Sequence, residues 1–168
     1  MSSGGDHRFP PLHPGLRERL ARVSPVRTSA KLVVYPCEVR LLDGSTVDRV
    51  YLAEAKPWFE VWGIWPDEDR GKSSLDIRQV ADLWDSPTRI PPHLAEKPYL
   101  GNNGGMGGSL FALVFRDGSR LTVRSGDAHD FVDYPSGYGP ADVVDIDCWL
   151  DRQTPYVTLP DYKWCIFE

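Results

Sequence analysis

The sequence predicts a mainly β fold, an antiparallel sheet curled into a small barrel or a two-layer sandwich, with one or two short helices. Apolar and polar residues alternate over much of the chain after Lys31, which is the period of β-strands. Two Asp-Gly-Ser steps separate pairs of alternating segments, and Asp-Gly is typical of tight hairpin turns because glycine accepts a positive φ. Turn residues recur between about eight or nine short strand candidates, and few segments have a helical period.

The two hairpins are the strongest local prediction. Each joins two alternating segments through the same three residues, and both follow the pattern apolar-x-apolar-(x)-Asp-Gly-Ser-x-x-Val, which hints at an internal repeat. Their strands are predicted over Glu38–Leu42 and Val47–Leu52, and over Phe111–Arg116 and Arg120–Arg124.

The other elements have weaker local patterns. Phe59–Trp65 alternates up to Pro66 and is predicted as a strand, and β-branched Ile77 and Val80 favour a strand within Leu75–Trp84. A short helix is expected in Pro92–Tyr99. The remaining strands are predicted over Asp142–Leu150, Tyr156–Leu159 and Trp164–Phe167.

The length of 168 residues fits one domain with a sizeable core. We expect residues 1–31 to form a basic tail, partly disordered, because they carry six basic and two acidic side chains. Within the tail Leu16, Leu20 and Val23 have helical spacing after Pro14, so a short helix could form there. Residues 32–168 are predicted to form a single β-rich domain.

Charge and composition narrow the classes of function. With 19 basic and 24 acidic residues the net charge is −5, which argues against binding to nucleic acid. The longest apolar run, Leu110–Phe115, is too short to cross a membrane, and the first eleven residues lack an apolar leader. Three cysteines at irregular spacing favour a reducing, cytoplasmic location. We expect no cofactor and no metal.

An acidic strand is the first candidate site. Seven aspartates and no lysine or arginine occur between Asp127 and Asp151. In a regular strand Val144, Ile146, Cys148 and Leu150 would form a buried face, and Val143 would lie on the other face with the acidic residues. An aromatic residue ringed by carboxylates is typical of a surface that binds a basic protein. The predicted partner-binding residues are Asp145, Asp147, Trp149 and Asp151.

A second candidate site is Asp127, His129 and Asp130, where a histidine lies among carboxylates. A carboxylate could orient the ring of His129 and raise its pKa, as a general base requires, but no third metal ligand or nucleophile motif accompanies them. The neighbouring Gly101–Gly108 loop lacks the lysine and the helix of a phosphate-binding loop, so a structural role is favoured for it.

Several segments resemble a group of small uncharacterised bacterial proteins. The similarity covers about residues 84–150 and implies no known activity. It differs at residues 103–104, where Asn-Gly stands in place of Glu-Ser. The matching segments include Ser86–Pro91, Leu94–Lys97, Gly105–Gly107, Phe111–Gly118 and Gly126–Phe131.

Two functions follow as hypotheses. The first is a non-enzymatic protein-binding domain that acts on a partner with a basic surface, and in general character it is similar to the immunity proteins with which bacteria neutralise toxins. The second is a small ligand-binding or hydrolytic β-barrel that uses Asp127, His129 and Asp130.

Overall fold

The structure, a computed structural model, describes residues 9–28, 31–100, 109–151 and 153–168. Within these ranges it contains nine strands in two mixed sheets and three short α-helices. The chain divides into two compact units, unit 1 (Met1–Ser86 and Tyr162–Glu168) and unit 2 (Pro87–Asp161). The mainly β prediction is therefore confirmed.

Unit 1 contains a five-stranded sheet. Its central strand β2 pairs antiparallel with β1, β3 and β4, whereas β3 and β9 are parallel. The elements are α1 (Pro14–Leu20), β1 (Val26–Arg27), β2 (Val33–Leu41), β3 (Thr46–Glu54), α2 (Ala55–Trp62), β4 (Val80–Asp85) and β9 (Lys163–Phe167).

Helix α1 forms part of the core of unit 1. It begins at Pro14, and the His13 imidazole caps it by accepting the Leu16 N–H at 3.4 Å. Leu16 and Leu20, four residues apart, are buried against Val80 and Leu83 of β4 and the rest of the core. The amphipathic spacing seen in the sequence thus places one face of this helix against the sheet.

Helix α2 replaces the strand predicted over Phe59–Trp65, and that prediction is wrong. The helix ends because Gly63 adopts a left-handed conformation with φ of +71° and donates its N–H to Phe59 O at 2.8 Å. Trp58 is buried, and its indole N–H donates to Ile64 O at 3.0 Å. Both faces of the segment are apolar in the sequence, so alternation alone could not separate strand from helix.

Unit 2 contains a four-stranded sheet in the order β7-β5-β6-β8. All neighbours are antiparallel except β6 and β8, which are parallel. The elements are α3 (Lys97–Leu100), β5 (Ser109–Phe115), β6 (Arg120–Ser125), β7 (Val143–Asp147) and β8 (Val157–Thr158).

Both predicted hairpins are confirmed, and their turns have the same geometry. Gly44 and Gly118 have φ of +90° and +89°, as three-residue hairpin loops require of the residue after the turn. In each loop the aspartate two residues before the serine accepts its N–H at 2.9 Å. The ladders close with Leu41 N–H donating to Ser45 O at 2.8 Å and Phe115 N–H donating to Ser119 O at 2.9 Å.

Three other expectations need correction. Neither sheet closes into a barrel within the described residues, so the barrel is not the predicted form that these strands adopt, and each sheet contains one parallel pair among its antiparallel pairs. The described residues form three short α-helices, where one or two were expected. The segment Leu75–Trp84 begins with a 3-10 turn at Ile77–Gln79 and becomes a strand only at Val80.

Some predictions lie outside the described residues. These are the disorder expected at the start of the tail, where residues 1–8 are not described, and the Gly101–Gly108 loop with its Gly105–Gly107 motif. Division of the chain at residue 31 stays a prediction. No described helix is long and apolar enough to cross a membrane.

Candidate functional site

The acidic strand β7 is extended but not regular, because it contains a bulge. Phe115 of β5 pairs with Val143 and Val114 pairs with Asp145, which leaves Val144 as an extra residue. Val143 and Ile146 are consequently buried, whereas Val144 is 44% exposed. The predicted buried face, with Val144 inside and Val143 outside, is therefore wrong at these two positions.

Strand β7 ends at Asp147 and leads directly to the most exposed aromatic side chain described. A carboxylate oxygen of Asp147 accepts the backbone N–H of Trp149 at 2.9 Å. This local hydrogen bond takes the place of one between neighbouring strands. Trp149 is 91% exposed, as its outward position in the predicted strand implied. An indole held in water at the end of a strand contributes little to folding, because folding stability depends on buried apolar area.

A groove of about 580 Å³ lies beside this tryptophan, and we call it the Trp149 groove. Its apolar lining is Leu100, Val114, Ile146 and Trp149, and Leu100 at the end of α3 is 82% exposed. Four charged side chains also line it, as the two ion pairs Lys97–Asp145 and Arg120–Asp147. The groove thus combines two exposed apolar side chains with charges of both signs.

The carboxylates of the groove have local cationic partners, which the sequence did not reveal. Lys97 Nζ lies 2.6 Å from Asp145 Oδ1, and Arg120 contacts Asp147. The hydrogen bond from Lys97 lowers the pKa of Asp145, and the Trp149 N–H, then Arg120, lower the pKa of Asp147 despite the neighbouring charge of Asp145. Both carboxylates are therefore ionised at neutral pH, and their charge is locally balanced.

Asp151 is the fourth predicted partner-binding residue, and the structure places it in a turn outside the groove lining. Its carboxylate accepts the Gln153 N–H at 2.9 Å, and its carbonyl accepts the Thr154 N–H. The side chain is exposed at the surface. Asp145, Asp147 and Trp149 are therefore brought together in the groove, and Asp151 has a local structural role.

Sequence reasoning missed Lys97, Leu100 and Arg120 as residues of this site. Arg120 begins the second strand of the hairpin and lies opposite Val114, which is itself opposite Asp145 on the other side. The row of Arg120, Val114 and Asp145 across three strands depends on the pairing of β7 with β5. The sequence predicted the hairpin of β5 and β6, but it did not predict that β7 lies beside β5 in the sheet.

The second candidate site is a buried cluster rather than an open pocket. His129 and Asp130 are both buried, and the Tyr99 hydroxyl joins them: it accepts the backbone N–H of His129 at 3.0 Å and donates to the Asp130 carboxylate. On the ring, Nε2 of His129 lies 3.3 Å from the hydroxyl oxygen of Ser109, which is also buried. Asp127, in contrast, is exposed.

This arrangement suits packing better than general-base chemistry. Burial lowers the pKa of His129 to about 4, and the Ala128 carbonyl opposes this only in part, so the ring is neutral at pH 7. No carboxylate in the described part of the chain is hydrogen bonded to the ring. The structure does not bring Asp127, His129 and Asp130 to one accessible face.

Neither Cys148 nor Cys165 has a lowered pKa, and the described residues contain no cluster of metal ligands. Cys37 and Cys165 are buried, and burial raises the pKa of the Cys148 thiol despite the nearby Lys97. Among the described residues there is no group of three or more histidine, cysteine, aspartate or glutamate side chains that could hold a metal ion. The Trp149 groove therefore remains the feature with the clearest capacity for recognition.

Comparisons with known proteins do not add to this geometry. No protein-family model, curated protein or solved structure matches the chain.

Proposed function

We propose that this chain is a non-enzymatic protein-binding domain and that the Trp149 groove is its contact surface. One observation carries the proposal: the indole of Trp149 is 91% exposed beside a groove that also exposes Leu100. Tryptophan is the residue most enriched among those that dominate binding energy in protein interfaces. Burial of this side chain by a partner would recover apolar stabilisation that the free protein does not gain.

The charges around the groove support selectivity for a basic partner. The side chains of Lys97 and Asp145 are about half exposed, and exposed ion pairs typically contribute only about 0.2–1 kcal/mol. A cation from a partner can therefore replace or share such a pair at low cost. Both aspartates are ionised at neutral pH, so they remain available for this exchange.

The class of partner extends the same proposal. A small acidic domain that presents an aromatic anchor among carboxylates has the general character of a bacterial immunity protein, which neutralises a toxin by covering it. We propose a toxin with a basic surface as the partner, bound in the cytoplasm. Electrostatic attraction would accelerate association, and burial of Trp149 would slow dissociation.

Site-specific photo-cross-linking tests the contact surface. A benzophenone amino acid is placed at Trp149 or, as a matched control, at Leu42, which is 65% exposed in the first hairpin turn. We expect one saturable cross-linked protein from position 149 and none from position 42. Excess wild-type protein should abolish the product, whereas the Trp149→Ala variant should compete at least about thirtyfold less well, as the loss of an anchor worth about 2 kcal/mol requires.

Two results would count against the proposal. Identical products from positions 149 and 42 would show that the cross-links reflect exposure alone. Equal competition by wild-type protein and by Trp149→Ala would show that the partner binds elsewhere. If the partner is a toxin, the captured protein must lose its activity when the wild-type domain is added. It must regain that activity at higher salt, because salt screens the attraction between the two proteins.

A further inference from the structure

The edge strands of the two sheets are places where this chain could pair with another, because an edge presents a row of unpaired N–H and C=O groups. Among the described residues, the sheet of unit 1 ends at β9 on one side and at β1 and β4 on the other. The sheet of unit 2 ends at β7 and β8. Each of these edges must therefore be short, covered or otherwise closed for the protein to stay free of unwanted pairing.

Three of these edges are short or covered. Strands β1 and β8 have two residues each, so they offer few groups to an added strand. The outer side of β9 is covered by a neighbouring segment: Trp164 donates its N–H to Ser73 O at 2.9 Å, and its C=O accepts the Leu75 N–H at 2.8 Å. Within the described part of the chain, β4 with six residues and β7 with five remain as the long edges.

Strand β7 directs the N–H of Ile146 away from its sheet. Phe115 of β5 donates its N–H to Ser119 O in the hairpin, so the preceding residue, Val114, directs its N–H and C=O toward β7. Val114 pairs with Asp145, whose backbone groups consequently point toward β5. Those of the next residue, Ile146, point outward, where an added strand would bind them.

The side chain of Asp145 occupies this outward N–H. Its Oδ1 accepts the Ile146 N–H at 2.8 Å, and the same oxygen lies 2.6 Å from Lys97 Nζ. An added strand would have to place a carbonyl oxygen where this ionised carboxylate already lies. The bulge at Val144, directly before Asp145, also breaks the regular spacing that such a strand would need.

The long edge of unit 1 has the same arrangement. Strand β4 contains a one-residue bulge at Ala81, directly before Asp82, which pairs with Arg40 of β2. The next residue, Leu83, directs its N–H outward, and Asp82 Oδ1 accepts it at 2.8 Å. Arg19 Nε lies 3.4 Å from that same oxygen. Both long edges thus have a bulge, an aspartate, an outward N–H that the aspartate accepts, and a cation beside the accepting oxygen.

The residue types of β7 show why such an arrangement is needed. Aspartate is depleted in strands, whereas Val143, Val144 and Ile146 around Asp145 are β-branched residues that favour them. A β-branched segment at an edge pairs readily with copies of itself unless a charge interrupts it. The hydrogen bond from Ile146 points away from β5, so it does not hold β7 in its sheet.

We propose that Asp82 and Asp145 close the two long edges against the addition of a further strand. Without the Asp145 carboxylate, β7 becomes a surface that pairs with β7 of a second copy of this chain. The two copies would be antiparallel and related by a two-fold axis, so the assembly closes as a dimer. This proposal concerns the free protein, and it goes beyond the proposed function without depending on it.

Sedimentation equilibrium of the full-length protein tests the proposal with three variants. Asp145→Val removes the acceptor, whereas Asp145→Asn removes the charge and keeps an oxygen that can accept the N–H. Asp151→Val makes the same exchange at an exposed aspartate in a turn. At up to about 1 mM protein, we expect Asp145→Val to dimerise with an association constant at least about tenfold above that of the wild type. The other two variants should equal the wild type.

Amide hydrogen exchange followed by NMR locates the contact and also tests the wild-type protein without any substitution. In the wild type, the amides of Ile146 and Leu83 should exchange at least about tenfold more slowly than in an unfolded chain, although both point away from their sheets. In dilute Asp145→Val the Ile146 amide should lose this protection. It should regain protection at concentrations where the dimer forms, while the Leu83 amide should not change.

Four results would overturn the proposal. The first is an Asp145→Val variant that is as monomeric as the wild type. The second is equal association of Asp145→Asn and Asp145→Val, because charge and not the accepted N–H would then close the edge. Equal association of Asp151→Val would show that an added apolar side chain is sufficient. Exchange of the wild-type Ile146 amide at the rate of an unfolded chain would show that the carboxylate does not protect it.

Discussion

Truncation of Ile146 to alanine should lower the free energy of unfolding by roughly 3 kcal/mol, whereas Val144→Ala should cost less than about 0.5 kcal/mol. Ile146 is 3% exposed and Val144 is 44% exposed, because the bulge turns the two residues to opposite environments. Loss of three buried carbon groups removes about 2.4 kcal/mol of transfer free energy, and the cavity left behind adds to this.

Urea denaturation followed by far-UV circular dichroism measures both variants, with NMR signals of β5 residues to confirm that unit 2 is the part affected. Leu83→Ala provides a matched comparison, because Leu83 follows Asp82 in unit 1 as Ile146 follows Asp145 in unit 2, and it is equally buried. Equal losses for Ile146→Ala and Val144→Ala would refute the bulge. The strand would then alternate regularly, with Val144 and Ile146 together on one buried face.

Three further predictions concern the turns and the buried histidine. Gly44→Ala and Gly118→Ala should each lower the free energy of unfolding, measured by urea denaturation, by about 1–2 kcal/mol. The cost comes from the backbone, because φ is near +90° at both glycines and an added methyl group would meet no other atom. Unequal or negligible losses would contradict the shared geometry of the two turns. NMR titration should give Asp117 a pKa of about 2, since Ser119 and Tyr138 hydrogen bond to it, and Tyr138→Phe should raise that pKa. Because the pKa of His129 falls from 6.5 to about 4 on folding, stability should be complete above pH 6.5 and decline by roughly 3 kcal/mol as the pH falls to 4; an unchanged decline in His129→Gln would exclude this residue as the cause.

The hairpins were predictable because their determinants are local. Asp-Gly-Ser specifies the conformation of each loop, and the aspartate carboxylate and the glycine φ act within three residues. The third strand of unit 2 was located for a similar reason, since Asp142–Leu150 contains β7 and alternates in the sequence. Local chemistry was sufficient wherever the element did not depend on a distant partner.

The errors arose where structure depends on such partners. The bulge at Val144 follows from the register between β7 and β5, which lie about thirty residues apart in sequence. No local sequence signal within β7 predicts it. Helix α2 was misassigned because Phe59–Trp65 is apolar on both strand faces. Gly63 was the available signal, because a glycine after an apolar run is a common helix end.

The charge of the candidate site was the least predictable property, because aspartates and cations meet only in the folded chain. Lys97 precedes Asp145 by 48 residues, and Arg120 precedes Asp147 by 27. Counting charged residues along the sequence therefore predicted a purely acidic strand, whereas the folded surface contains both positively and negatively charged side chains. This mixture of charges favours specific binding, because a partner must match the positions of four charged side chains. Net charge alone would provide only a general attraction.

The two units differ in the helix whose cation pairs with the aspartate of the bulged strand, which is α1 with Arg19 in unit 1 and α3 with Lys97 in unit 2. Strand order, hairpin loop, bulge and aspartate are common to both, so they reflect requirements of the sheet rather than of recognition. Helix α1 has two turns and buries its leucines, while α3 has one turn and ends at the exposed Leu100. The residues of β7 that correspond to Val80 and Leu83 under α1 are Val143 and Ile146, and they are buried without a helix of that length. The exposed apolar surface of unit 2 lies instead beside Asp145 and Asp147 in the Trp149 groove, where burial by a partner would stabilise it.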